Sequence, residues 1–101
     1  MILVTGANGQ LGRCFQNLAT RHPGLRFFFA ASADLDIADR SAVTSFFRQN
    51  KVSWVLNCAA YTAVDKAESE PDRARAVNTT GAANLARACA ASGARLVHFS
   101  T

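Results

Sequence analysis

The sequence predicts an α/β fold, a doubly wound parallel sheet with helices on both faces. Three observations predict it. An apolar strand, Ile2-Leu3-Val4, feeds three glycines spaced three apart, Gly6, Gly9 and Gly12. Near-continuous apolar runs then alternate with helical patterns, the arrangement of a parallel sheet covered on both sides. The chain has 101 residues, 50% of them hydrophobic and 18% charged, which suits one globular core.

The elements follow in order. Strand Ile2 to Thr5 leads through the glycines into a helix from Gln10 to about Arg21, and His22-Pro23-Gly24 breaks it before the apolar strand Leu25 to Ala31, completing a βαβ unit. A polar stretch containing Leu35-Asp36-Ile37 leads to Asp39 or Ser41 as N-cap of a helix reaching about Asn50. Strand Val52 to Cys58 comes next, then a loop from Ala59 to Glu70. Pro71 suits the first turn of a long helix, in which Ala74, Val77, Gly81, Leu85 and Ala88 recur on one face at steps of three and four. Gly93 ends that helix, and Arg95 to Ser100 is the last strand.

If the second strand lies on one side of the first and the later two on the other, strand order reverses beside strand one. Ligands of such Rossmann-type sheets bind outside the carboxyl ends of the strands at this switch point. Three segments meet there: the glycine loop after Thr5, Ala59-Ala60-Tyr61-Thr62, and Ser100-Thr101. The glycine spacing fits a dinucleotide pyrophosphate. Gly6 takes the tight turn, Gly9 lets the backbone approach the phosphates, and Gly12 lets the helix pack close to the sheet. The helix N-terminus offers free N–H groups and a positive dipole end.

Charge and cysteine usage exclude other classes. Net charge is +4 and the isoelectric point near 9.5, but the eleven Lys and Arg are scattered, so no nucleic-acid partner is expected. Cys14, Cys58 and Cys89 are odd in number and lack metal spacing, which predicts buried thiols of a reducing compartment, no disulfide and no metal site. No apolar run reaches about 18 residues, and the N-terminus lacks a basic region and cleavage site. A cytoplasmic protein with no membrane partner is expected.

Beyond these signals, Thr5-Gly6-x-x-Gly9-x-x-Gly12, Leu35-Asp36-Ile37, the segment Asn57-Cys58-Ala59-Ala60-Tyr61-Thr62-Ala63-Val64-Asp65-Lys66-Ala67-Glu68, Val77-Asn78 and His98-Phe99-Ser100-Thr101 together resemble the start of an extended short-chain dehydrogenase/reductase, most closely the dTDP-4-dehydrorhamnose reductase family. The resemblance covers essentially the whole chain, and the family's enzymes are markedly longer. It implies that residues 1–101 are the N-terminal NAD(P)-binding part of a truncated Rossmann domain, without the substrate lobe. The implied activity is NADPH- or NADH-dependent reduction of the 4-keto group of dTDP-4-dehydrorhamnose to give dTDP-L-rhamnose. The dTDP-sugar would be a partner of the full-length parent.

The resemblance also assigns residues. Gly9, Gln10 and Leu11 would wrap the pyrophosphate, Asp36 and Ile37 border adenine, and Ala59, Ala60, Tyr61 and Thr62 run under the ribose and nicotinamide. Thr101 matches the hydroxyl that polarises the keto oxygen. The superfamily's Tyr-x-x-x-Lys pair is absent from this chain; Tyr61 has Asp65 four residues on and cannot supply it. The chain alone is therefore expected to lack turnover. Asn78 matches an asparagine that shapes the active site. Several of these have ordinary alternatives: a turn carboxylate for Asp36, a packed loop aromatic for Tyr61, a helix-face residue for Asn78. The end of strand two, Phe29-Ala30-Ala31-Ser32, carries no acid to repel a 2′-phosphate. Arg13 lies just past the glycines, as a phosphate partner or simply a surface residue, so NADPH is expected to be accepted.

Two other readings compete. One is a non-catalytic nucleotide-binding regulatory subunit like the β-subunit of methionine adenosyltransferase; the other is an epimerase or dehydratase on another nucleotide sugar. The segment Tyr61 to Pro71 favours the reductase over both. Finally, Leu96, Val97 and Phe99 on the last strand would leave an apolar edge open to self-association.

Overall fold

A computed structural model describes residues 1–59 and 71–99. Four parallel strands, β1 (Ile2–Thr5), β2 (Phe27–Ala30), β3 (Trp54–Asn57) and β4 (Arg95–His98), stand in the order β2-β1-β3-β4. Thr5 is level with Ala30 and Asn57, and Asn57 with His98, so the four carboxyl ends form one rim. The chain leaves β1 for β2 on one side and returns to β3 on the other, which puts the switch point beside β1.

Helices α1 (Gln10–Ala19) and α2 (Arg40–Gln49) make the first two crossovers. The third descends through α3 (Pro71–Arg75), a π-helical segment (Ala76–Gly81) and α4 (Ala82–Ser92). Alternation along the strands divides the apolar residues between two faces. Leu3 and Val55 join Val43 of α2 and Leu85 of α4 in one core, with Leu35, Ile37 and Cys89 at its margins. Val4, the next residue along β1, lies outside that cluster and is equally buried, so both faces are covered.

Several element ends differ from expectation. Helix α1 stops at Ala19 rather than Arg21, because the N–H groups of Arg21 and His22 turn to carbonyls three residues back, on Leu18 and Ala19. Strand β2 is shorter than Leu25 to Ala31: the Leu25 N–H closes a turn on the His22 carbonyl, and its side chain is 51% exposed. Strands β3 and β4 are also shorter than Val52 to Cys58 and Arg95 to Ser100, although the bonds Ser53 N–H to Met1 O and Phe99 N–H to Asn57 O prolong the pairing at either end. Of the two candidate caps for α2, Asp39 takes the role, its Oδ1 accepting the Ala42 N–H at 3.2 Å. Gly93 ends α4 at φ +81°.

The helix expected to run unbroken from Pro71 contains a wider turn. Thr79 Oγ1 donates to the Arg75 carbonyl at 2.6 Å, the acceptor a regular ladder would give to the Thr79 N–H. The bond is local and does not show in apolar periodicity. Ala74, Gly81 and Leu85 are nevertheless all buried.

Candidate functional site

The turn out of β1 is built by contacts that only glycine permits. Gly6 sits at φ +66°, and a Cβ there would lie 2.6 Å from the Ala59 nitrogen and 2.6 Å from the Cys58 carbonyl carbon. A side chain would be strained by the backbone angle and blocked by the exit of β3. A Cβ on Gly12 would meet the Gly6 carbonyl oxygen at 2.3 Å and the Ala7 Cα at 2.7 Å. The first turn of α1 therefore rests directly on the loop.

Further bonds hold that loop. The Gly9 N–H reaches the Gly6 carbonyl at 3.1 Å, and Gln16 Nε2 donates to the Ala7 carbonyl at 2.8 Å. Gly9 is the extended N-cap residue of α1; no side chain caps this end and no acid stands in its first turn. The helical ladder begins with the Arg13 N–H on the Gly9 carbonyl. Among the described residues the N–H groups of Gln10, Leu11 and Gly12 have no partner outside the helix, and the positive end of the helix dipole there suits an anion.

Beneath the rim, a polar chain, buried at Thr5 and Asn57 and exposed at His98, ties three strands together. Thr5 Oγ1 donates to Asn57 Oδ1 at 2.7 Å, and the same oxygen accepts the Ala59 N–H at 3.2 Å. These two donors fix the carboxamide orientation, so Asn57 Nδ2 faces His98 Nδ1 at 2.9 Å and donates to it. The neutral imidazole then carries its proton on Nε2. Thr5 and Asn57 are buried, where unpaired polar groups would be costly. The chain anchors the start of the glycine loop and Ala59, just past β3, to each other and to β4.

The cleft above the rim is lined by Thr5, Gly6, Asn8 and Gly9, by Ala31, Ser32, Leu35, Asp36 and Ile37 following β2, by Ala59, and by Arg73, Ala74 and Val77 of the third crossover. Asp36 Oδ1 accepts the Ala38 N–H at 3.0 Å and Arg73 Nη2 at 3.1 Å; both side chains of this ion pair are 40% exposed. Behind Ile37, buried Asn84 donates Nδ2 to the Ile37 carbonyl at 2.9 Å. A Cβ on Gly81 would come within 2.6 Å of Ile37 Cγ1. The wall carrying Asp36 and Ile37 is therefore pressed onto the third crossover. Its small and apolar members suit a flat ring, and the uncapped end of α1 suits phosphates.

Of the residues singled out in the sequence, Gly6, Gly9, Asp36, Ile37 and Ala59 border this one cleft. Gly12 supports it from behind, and Gln10 and Leu11 begin α1 without lining the cleft. Ala60, Tyr61, Thr62 and Thr101 lie outside the described residues. Arg13 and Asn78 are exposed and do not line it. Arg73, Asn84 and the Thr5–Asn57–His98 chain were not anticipated, because each depends on a partner 37 to 52 positions away. Burial raises the Cys58 thiol to about 11, so at neutral pH it is an uncharged packing group beside the loop, not a nucleophile. Among the described residues, no three His, Cys, Asp or Glu gather as a metal site, and no helix is long and apolar enough to cross a membrane.

Comparison with known proteins gives a consistent set of relatives. The family model described as RmlD substrate binding domain matches residues 1–101. The dTDP-4-dehydrorhamnose reductase of Mycolicibacterium smegmatis is 49% identical over 100 residues, covering 99% of this chain and 30% of that protein. Among solved structures, the dTDP-4-dehydrorhamnose reductase of Clostridium acetobutylicum has a TM-score of 0.81 and 44% identity, over 94% of this chain and 34% of that one. That of Bacillus anthracis, in complex with NADP, has a TM-score of 0.80 and 37% identity over the same shares. The chain thus spans about a third of the length of the relatives it matches.

Proposed function

We infer, for a chain that belongs to the RmlD substrate binding domain family, that it supplies the nicotinamide cofactor site, for NADPH or NADH, of a reductase acting on dTDP-4-dehydrorhamnose. The observation that carries this reading is the juxtaposition at the switch point. A glycine turn with no room for a side chain and an uncapped helix N-terminus face the same cleft as an apolar wall at the end of β2. These residues suit a dinucleotide.

When bound, the cofactor supplies a hydride to the keto carbon of the sugar. The residues of this chain bind and orient. The N–H groups of Gln10, Leu11 and Gly12 would hold the pyrophosphate, Gly6 and Gly9 keep side chains out of its way, and Leu35, Ile37, Ala74 and Val77 would enclose the adenine. Asn57 holds Ala59, at the exit of β3, against the glycine turn. By resemblance, Thr101 would present its hydroxyl to the keto oxygen, and the proton donor would come from the Tyr-x-x-x-Lys pair of the full-length polypeptide. Cys14 and Cys89 are free thiols, which suits a reducing compartment, and we place the protein in the cytoplasm.

Gly9→Asp in the full-length polypeptide tests the reading. Gly9 occupies an N-cap with φ −76° and ψ 174°, a conformation in which aspartate is a favourable cap. The fold should be as stable as before or more so, while the carboxylate repels the pyrophosphate. NADPH and NADH binding, followed by nicotinamide fluorescence, and turnover of dTDP-4-dehydrorhamnose should both be lost. Unchanged binding in the variant would refute the assignment.

A further inference from the structure

The two forms of the cofactor differ by a phosphate on the adenosine 2′ oxygen, a group read near the end of β2 in folds of this type. There the cleft is lined by Ala31 and Ser32 and presents no carboxylate. The acid nearest in sequence, Asp34, is turned onto its own loop, with Oδ2 accepting the Ala31 N–H at 2.9 Å, and does not line the cleft. Arg73 lines the same cleft from α3, its Nη2 3.1 Å from Asp36 Oδ1.

That contact is one the arginine can give up. Both side chains are 40% exposed, so the pair is weak and screened by solvent. Asp36 Oδ1 also accepts the Ala38 N–H at 3.0 Å, a partner within its own turn. A guanidinium has five N–H donors in a planar fork. Among the described residues one of them serves Asp36, and the planar fork has donors to offer a second anion. A phosphomonoester carries roughly −1.5 to −2 at neutral pH, a stronger attraction than a single carboxylate, and accepts the fork in bidentate fashion.

We propose that Arg73 selects the 2′-phosphorylated cofactor, by exchanging or sharing its contact with Asp36 for that phosphate. The proposal rests on the cofactor reading above and assigns to Arg73 the role that sequence position suggested for Arg13, which is exposed on α1 away from the cleft.

The test is the ratio of NADPH to NADH dissociation constants, measured by nicotinamide fluorescence on the full-length polypeptide at low and at high salt. The wild type should favour NADPH, with an advantage that shrinks as salt rises. Arg73→Gln should weaken NADPH by about tenfold, the loss of a charge-assisted contact, and leave NADH within about twofold. Arg73→Lys should recover part of the preference, because it keeps the charge and loses the fork; it also serves as the readout if the glutamine variant folds poorly. Equal weakening of both cofactors would show that Arg73 only braces Asp36, and an unchanged ratio would show that it reads nothing; either overturns the proposal while the cofactor site stands. A wild type that binds neither cofactor would overturn both readings.

Discussion

Alanine placed at four glycines separates the contacts that build the loop from the angles that shape it. At Gly24 a Cβ meets nothing within 4 Å and the backbone is not left-handed, so Gly24→Ala should be neutral or stabilise by up to about 1 kcal/mol. At Gly93 the Cβ space is equally open but φ is +81°, so that substitution should cost only the left-handed penalty of about 1–2 kcal/mol. Gly6 combines a φ of +66° with a Cβ position 2.6 Å from the backbone of Cys58 and Ala59, neither of which can move without dragging β3. The added overpacking should bring its cost to about 3 kcal/mol or more. At Gly12 a gain in helix propensity of about 1 kcal/mol opposes a 2.3 Å approach to the Gly6 carbonyl, and about 1–2 kcal/mol of net destabilisation should remain. Urea unfolding with unchanged m values measures the series. If Gly6→Ala costs no more than Gly93→Ala, the glycine loop does not lie against the exit of β3, and the account of the cleft falls with it.

Three more outcomes follow from the same geometry. Asn57→Leu should lose about 2–3 kcal/mol, because it strands the Thr5 hydroxyl and the Ala59 N–H, whereas Thr5→Val removes one bond and should lose about 1 kcal/mol; denaturant midpoints rank the two, and the reverse order would contradict the chain of bonds. Asn84→Ala leaves the Ile37 carbonyl unpaired behind the cleft and should lower stability by about 1–3 kcal/mol while weakening NADPH and NADH alike in a fluorescence titration. Cys14 is exposed and Cys58 and Cys89 are buried, so a disulfide thiol reagent should label one cysteine in the native protein and the other two only in denaturant. Because burial raises Cys58 from 9.0 to about 11, the folded state holds that proton more tightly than the unfolded chain. Its stabilising effect is intact below pH 9.0 and is lost as pH rises toward about 11, and Cys58→Ala should flatten this alkaline decline in unfolding free energy.

Much of the architecture could be read along the chain, because it is written in local signals. Ile2-Leu3-Val4 before Gly6, the break at His22-Pro23-Gly24 and the stop at Gly93 mark elements through backbone rules that need no partner. Strand order was legible only conditionally: with β2 on one side of β1 and the later strands on the other, the order reverses beside β1, as it does in the structure. Boundaries shifted where turns captured terminal N–H groups, as at Arg21 and Leu25. The wide turn at Ala76–Gly81 contains a hydroxyl bond from Thr79 to the Arg75 carbonyl, a local contact that spacing cannot reveal. Site residues drawn from the glycine loop and from Asp36 and Ile37 meet in one cleft, since both segments leave the same rim. Arg73 could not be chosen over ten other basic residues without knowing that α3 descends beside Asp36. Asn57 and His98 become one network only through the β3–β4 register.

The most direct test of the central claim is hydrogen exchange, read by mass spectrometry, on the full-length polypeptide with and without saturating NADPH. The account predicts slower exchange in peptides covering Thr5 to Gly12, Ala31 to Ile37 and Arg73 to Val77, and no change around Lys51, Trp54 and Gly93 at the opposite end of the sheet. Protection that bypasses the glycine loop, or that gathers at the opposite end, would contradict it.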